Sequence, residues 1–121
     1  MRPLTYKITR SYDESTVSSQ IEVEGVILFE LYGYQWAAHM DPNEEGDEWD
    51  FEHWSVSEVS TGCGLSTGRV FPTAEEAQYW AYSYLLKKGE AMTRFHVEKA
   101  RMKLQEYETI RNNVTTPSQG Q

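Results

Sequence analysis

Apolar and polar positions alternate from the first residues onward. Leu4, Tyr6 and Ile8 interleave with Thr5, Lys7 and Thr9, the two-residue period of a half-buried strand. After the polar connection SYDESTVSSQ, the run IEVEGVILFELYG mixes alternation with a continuous apolar stretch from Val26 to Leu31, and Gly25 is expected to mark a bulge. YQWAAHM follows Gly33 directly and reads as a second aromatic strand, separated from the first by either a tight turn or a bend. FEHWSVSEVS, rich in aromatic and β-branched residues, reads as another. TGCGLSTG is then a glycine-rich turn or bulged edge that leads into a short strand, RVF. From Thr73 the period changes. Thr73 is placed to cap a helix, with Pro72 before it and Glu76 three residues later, and Ala74, Ala77, Trp80, Ala81, Tyr84 and Leu85 share one helical face. Gly89, after Lys87 and Lys88, stops or kinks it.

A second helix is predicted from Glu90 to about Asn112, roughly 33 Å long. It carries two apolar stripes. Met92, Phe95, Met102 and Ile110 lie on one side; Val97, Ala100, Leu104 and Tyr107 lie well around the cylinder. One stripe can cover the sheet, and two uses are open for the Val97, Ala100, Leu104 and Tyr107 stripe: packing between the sheet and the first helix, or contact with a second copy in a homodimer. Strands first and helices last imply an α+β fold, an antiparallel sheet of four to five strands packed by two C-terminal helices. Residues 1–112 form the single domain, and residues 113–121 are expected to be a disordered tail.

Composition narrows the setting. The chain has 121 residues, of which 39% are hydrophobic and 13% aromatic, enough for one folded domain. No run approaches the roughly 18 apolar residues of a membrane span, and the first residues hold no apolar signal core, so a cytoplasmic protein without membrane contact is expected. The single Cys63 removes internal disulfides from consideration.

Charge changes the picture more. Between Ser11 and Gly68 there are thirteen acids and no Lys or Arg, whereas residues 69–121 hold eight basic residues against six acids. The acids peak in DPNEEGDEWDFE, Asp41 to Glu52, where seven of twelve residues are acidic. Read as a calcium loop, this stretch puts Asp41, Asn43, Glu45, Gly46 and Glu52 at the loop positions 1, 3, 5, 6 and 12, but Glu48 stands where an apolar residue belongs and the flanks read as strands. GLSTG matches the pattern of a nucleophile elbow around Ser66, yet Val70, Phe71 and Pro72 separate it from the following helix. His39, His53, His96 and Cys63 show no zinc spacing, and no two carboxylates are set apart for acid–base work, so neither an enzyme nor a bound cofactor or metal is expected. Direct nucleic-acid binding is disfavoured because the aromatic strands carry acids beside them.

A strand-rich acidic chain that continues into GRVFPTAEEAQYWAYSYL resembles, over about residues 30–88, small accessory proteins of phages and mobile elements, among them anti-CRISPR and anti-restriction inhibitors of host nucleases. The resemblance implies a non-catalytic inhibitor; it assigns no residue a role. Aromatic anchors beside dense acids suit a basic protein surface such as the nucleic-acid site of a nuclease or DNA-binding protein. The expected contact residues are Asp41, Glu44, Glu45, Asp47, Glu48, Trp49, Asp50 and Glu52, with Trp36, Trp54, Tyr32 and Tyr34 as further aromatics, the two tryptophans being favoured for the core. Two alternatives stand beside this reading: a divalent-cation-binding hairpin, and a homodimeric structural protein whose acidity serves solubility.

Overall fold

A computed structural model describes residues 1–10, 17, 19–42, 49–65 and 69–115, with the side chains of residues 41, 42, 49–52, 114 and 115 excepted. Four strands run as an antiparallel meander in the order of the chain: β1 (Arg2–Arg10), β2 (Ser19–Leu31), β3 (Tyr34–Pro42) and β4 (Trp49–Glu58). Two helices follow, α1 (Ala74–Lys88) and α2 (Glu90–Thr115). This is the α+β arrangement expected from strands that precede helices. α2 continues through residues 113–115, past the domain boundary drawn at residue 112.

Alternation fixes the register of β1 and β2, because a one-residue slip would turn every apolar side chain outward. Tyr6 pairs with Val23 and Ile8 with Ile21. The turn from β2 to β3 is two residues long, Tyr32 and Gly33, both at positive φ (60° and 85°), as the hairpin twist requires. A tyrosine held there costs on the order of 1–2 kcal/mol. Its hydroxyl offsets part of that by donating to the Leu85 carbonyl, 3.2 Å away, so the turn is tied to the end of α1.

The expected bulge in β2 lies elsewhere than at Gly25. The register shifts between Ile27 and Phe29, and Leu28 and Phe29 then both pack toward α1. Gly25 is needed for a different reason: a Cβ there would stand 2.2 Å from the Ala38 carbonyl oxygen and 3.1 Å from the Tyr6 ring.

Both faces of the sheet carry a core. On the helix side, Leu28, Ala38 and Val56 meet Ala77 and Ala81 of α1, where small side chains let the helix sit close. Farther along, Tyr34 and Trp36 pack with Leu85 and Val97, which joins both helices to one cluster. On the other face Tyr6, Ile8, Val23 and Ala37 are buried with Leu4, Ile21 and Val59 around them, although α1 and α2 both pack on the opposite face. The sheet covers that face by curling. The Thr9 amide of β1 donates to the Gly62 carbonyl (2.9 Å), and Thr9 Oγ1 donates to the Thr61 carbonyl (2.7 Å), so the first strand meets the turn that follows the last. Gly62 permits the approach, for it has φ 71° and its missing Cβ would fall 2.2 Å from the Lys7 carbonyl oxygen.

Beyond that turn the chain runs back along the outer edge of β4. Glu58 bonds Cys63, Val56 bonds Leu65, and Trp54 exchanges two backbone bonds with Phe71. Phe71 makes a single bridge here, where the sequence suggested a short strand at RVF. α1 starts as predicted, with Thr73 Oγ1 accepting from the Glu76 amide at 3.1 Å and Ala74, Ala77, Ala81 and Leu85 buried beneath it.

Candidate partner-binding surface

The acidic stretch takes in the last residues of β3 and the first residues of β4. Asp41 closes β3 with Pro42, Pro42 pairs with Trp49, and Trp49, Asp50 and Glu52 belong to β4. Glu44, Glu45, Asp47 and Glu48 lie outside the described residues, as do the side chains of Asp41, Trp49, Asp50 and Glu52. Ser66, the serine of GLSTG, lies outside them too. The described surroundings follow from strand direction. β1 ends and β2 begins at this same end of the sheet, where Arg10 pairs with Ser19. Glu22 and Glu24 are exposed on β2, with Lys7 across the ladder from Glu22. α1 begins shortly after Phe71, the partner of Trp54, and its exposed first turn carries Glu75 and Glu76, which suit the positive end of the helix dipole.

The opposite end of the sheet belongs to α2. Tyr34 donates to Glu98 Oε2 at 3.0 Å, the Arg94 guanidinium stacks 5.6 Å over the Tyr34 ring, and Arg101 donates to Ser60 Oγ at 3.2 Å. Burial, with the Glu98 carboxylate beside it, pushes the Tyr34 phenol up, while the bond from Tyr34 and that from Arg101 hold Glu98 below the usual carboxylate range. The sequence polarity is thus a spatial one. The ends of β3 and β4 that carry the acidic stretch lie at one end of the sheet, and α2, with five of the eleven cations, crosses the other.

Several aromatics and one acid leave the list of surface candidates. Trp36 is 1% exposed and Tyr34 9%, both inside the core, and Trp54 is half-buried against α1. Glu58, one of the thirteen acids, is 1% exposed. Its carboxylate accepts from the Ser60 amide (2.8 Å) and hydroxyl, and from the Thr61 amide (3.0 Å) and hydroxyl (2.7 Å). This group organises the turn that closes the sheet; it is no part of an acidic surface. The succession Glu-Val-Ser-Thr-Gly, an acid followed by two hydroxyl residues and a glycine, is the signal that could have found it.

The two stripes of α2 are also sorted by burial. Val97 sits in the core cluster with Trp36 and Leu85, so it has no surface to give to a second copy. Ala100, Leu104 and Tyr107 follow it half-buried on the same side. Met92, Phe95, Met102 and Ile110 point outward.

A cleft of about 180 Å³ lies between the 63–65 segment and α2, lined by Trp36, Cys63, Leu65, Lys88, His96 and Val97 among others. A thiol and an imidazole in the lining of one cleft invite a nucleophilic reading, but their protonation runs against it. Burial pushes the Cys63 thiol up, and burial with the charges of Lys88 and Lys99 pulls His96 down. Both groups therefore rest neutral, whereas an activated cysteine is a thiolate beside a cation. Among the described residues no three His, Cys, Asp or Glu side chains are grouped to hold a metal, and no helix is long and apolar enough to cross a membrane. Comparison with protein-family models, with curated proteins and with solved structures finds no match.

Proposed function

We propose that the protein is a stoichiometric, non-catalytic ligand of a basic protein surface, which it engages through the Asp41–Glu52 hairpin. The observation that carries this reading is the one-signed block: thirteen acids without a Lys or Arg between Ser11 and Gly68, seven of them within twelve residues. Such a concentration destabilises a compact chain by self-repulsion, and a basic partner relieves that repulsion. The strand ends that carry the acidic stretch support it further, since Asp41, Trp49, Asp50 and Glu52 belong to the end of the sheet opposite Tyr34 and Ser60, where α2 crosses. The class of surface that fits is a phosphate-binding groove, such as that of a nuclease or DNA-binding protein, which the protein would occupy in place of nucleic acid.

The test is affinity purification from the native host with elution by rising salt, followed by kinetics on the eluted protein. Replacing Glu44, Glu45, Asp47 and Glu48 by Lys is expected to slow association by about an order of magnitude or more through lost steering, with the fold intact. Trp49→Ala is expected to act on dissociation instead. Duplex DNA should compete for the same partner. Unchanged association by the charge-reversed protein, together with simultaneous binding of DNA, would leave solubility as the role of the acids.

A further inference from the structure

The outward face of α2 matches itself. Met92, Phe95, Met102 and Ile110 are 49%, 59%, 63% and 62% exposed, a set of large apolar side chains that the fold leaves in water. At 100° per residue they fall, with Lys99 and Glu106, within an arc of about 80°, turned about 160° away from the buried side marked by Thr93 and Val97. Order along the helix is as telling as the arc. Phe95 lies as far before the midpoint between Met102 and Lys103 as Ile110 lies beyond it. Lys99 and Glu106 are likewise equidistant from that point, and so are Met92 and Asn113.

We propose that this face is an isologous dimer seam, in which α2 packs antiparallel against the α2 of a second copy about a two-fold axis at Met102–Lys103. The axis sets Phe95 against Ile110 and Lys99 against Glu106, each contact occurring twice, and Met102 near the centre against its own copy. A parallel pairing would instead set Lys99 against Lys99 and Glu106 against Glu106. Charge complementarity therefore selects the antiparallel second copy as the occupant. Among the described residues neither Lys99 nor Glu106 is engaged in an ion pair within the chain, so both are available. The overlap from Met92 to Asn113 spans about 33 Å. One helix pair of that length lies near the lower end of stable interfaces, about 1,200 Å² or less, in the class of weak, transient contacts, for which a dissociation constant on the order of 10 µM is expected. The seam is independent of the acidic hairpin and leaves both hairpins of the dimer uncovered.

Sedimentation equilibrium of the whole chain, from about 1 to 500 µM, tests the seam. The expected result is a reversible monomer–dimer equilibrium. Phe95→Asp should abolish it while the far-ultraviolet dichroism and tryptophan fluorescence stay native, as both fit an exposed position. Lys99→Glu should weaken the dimer by about tenfold or more, and Lys99→Glu with Glu106→Lys should restore it, which only the antiparallel register allows. A chain that stays monomeric throughout the range overturns the proposal. So does a dimer that survives Phe95→Asp, one that the double exchange fails to restore, or one that Leu104→Glu dissociates while Phe95→Asp does not.

Discussion

Glu58 is the residue whose sequence context misleads most. It stands in a block of acids, yet it is buried with donors from Ser60 and Thr61 on both carboxylate oxygens, and the turn it holds delivers Gly62 to β1. Hydrogen bonds to a charged group are stronger than neutral ones, and donors left unmet inside the fold cost more than the bonds returned. Glu58→Ala is therefore expected to lower unfolding free energy by about 2–4 kcal/mol. Gly62→Ala attacks the same closure from the other side, forcing a Cβ onto the Lys7 carbonyl at a cost of about 1–3 kcal/mol. Urea denaturation of both variants checks the pair, and native stability in either would mean that the curl does not depend on this turn. The aromatic residues make the same point: Trp36 and Trp54 were legible as core, but Tyr34 reads as a surface anchor until α2 is placed over it.

At the scale of elements, what was legible was whatever is local. The start of α1 follows from one hydroxyl and one amide, so the cap at Thr73 could be placed from sequence alone. Thr73→Ala should cost about 1 kcal/mol, the usual worth of such a cap, seen as a lower midpoint in thermal unfolding; no change would mean that the helix starts by packing of Ala74 and Ala77 instead. The stripes of α2 were equally legible, because the 3.6-residue period reveals which side chains share a direction. Which direction meets the fold was not, since the period is the same for both. The contact of Val97 with Trp36 decides it, and the remaining stripe, with Lys99 and Glu106 in it, becomes the surface. The displaced bulge in β2 has a similar cause. Gly25 and the pair Leu28–Phe29 both interrupt a regular strand, and only the neighbouring strands distinguish close approach from a shift of register.

The whole molecule carries a net charge of −8, and seven of its nineteen acids fall between Asp41 and Glu52. Repulsion among those acids opposes folding and is screened within about 10 Å at 0.1 M salt. The melting temperature of the free protein should therefore rise by a few degrees as sodium chloride increases from about 0.02 to 0.3 M, and a flat or falling curve would show that the acids are already compensated. If α2 pairs as proposed, the dimer presents two acidic hairpins and can bind a partner bivalently, with an apparent affinity above that of either hairpin alone. The sequence by itself determined the order of strands and helices, the helix cap and the segregation of charge, because each depends on residues near one another along the chain. Tertiary structure alone decided that both faces of the sheet are buried and which stripe of α2 remains in water. Those outcomes depend on where β1 meets Gly62 and where α2 crosses Tyr34 and Ser60, contacts between residues far apart in sequence that no local pattern encodes.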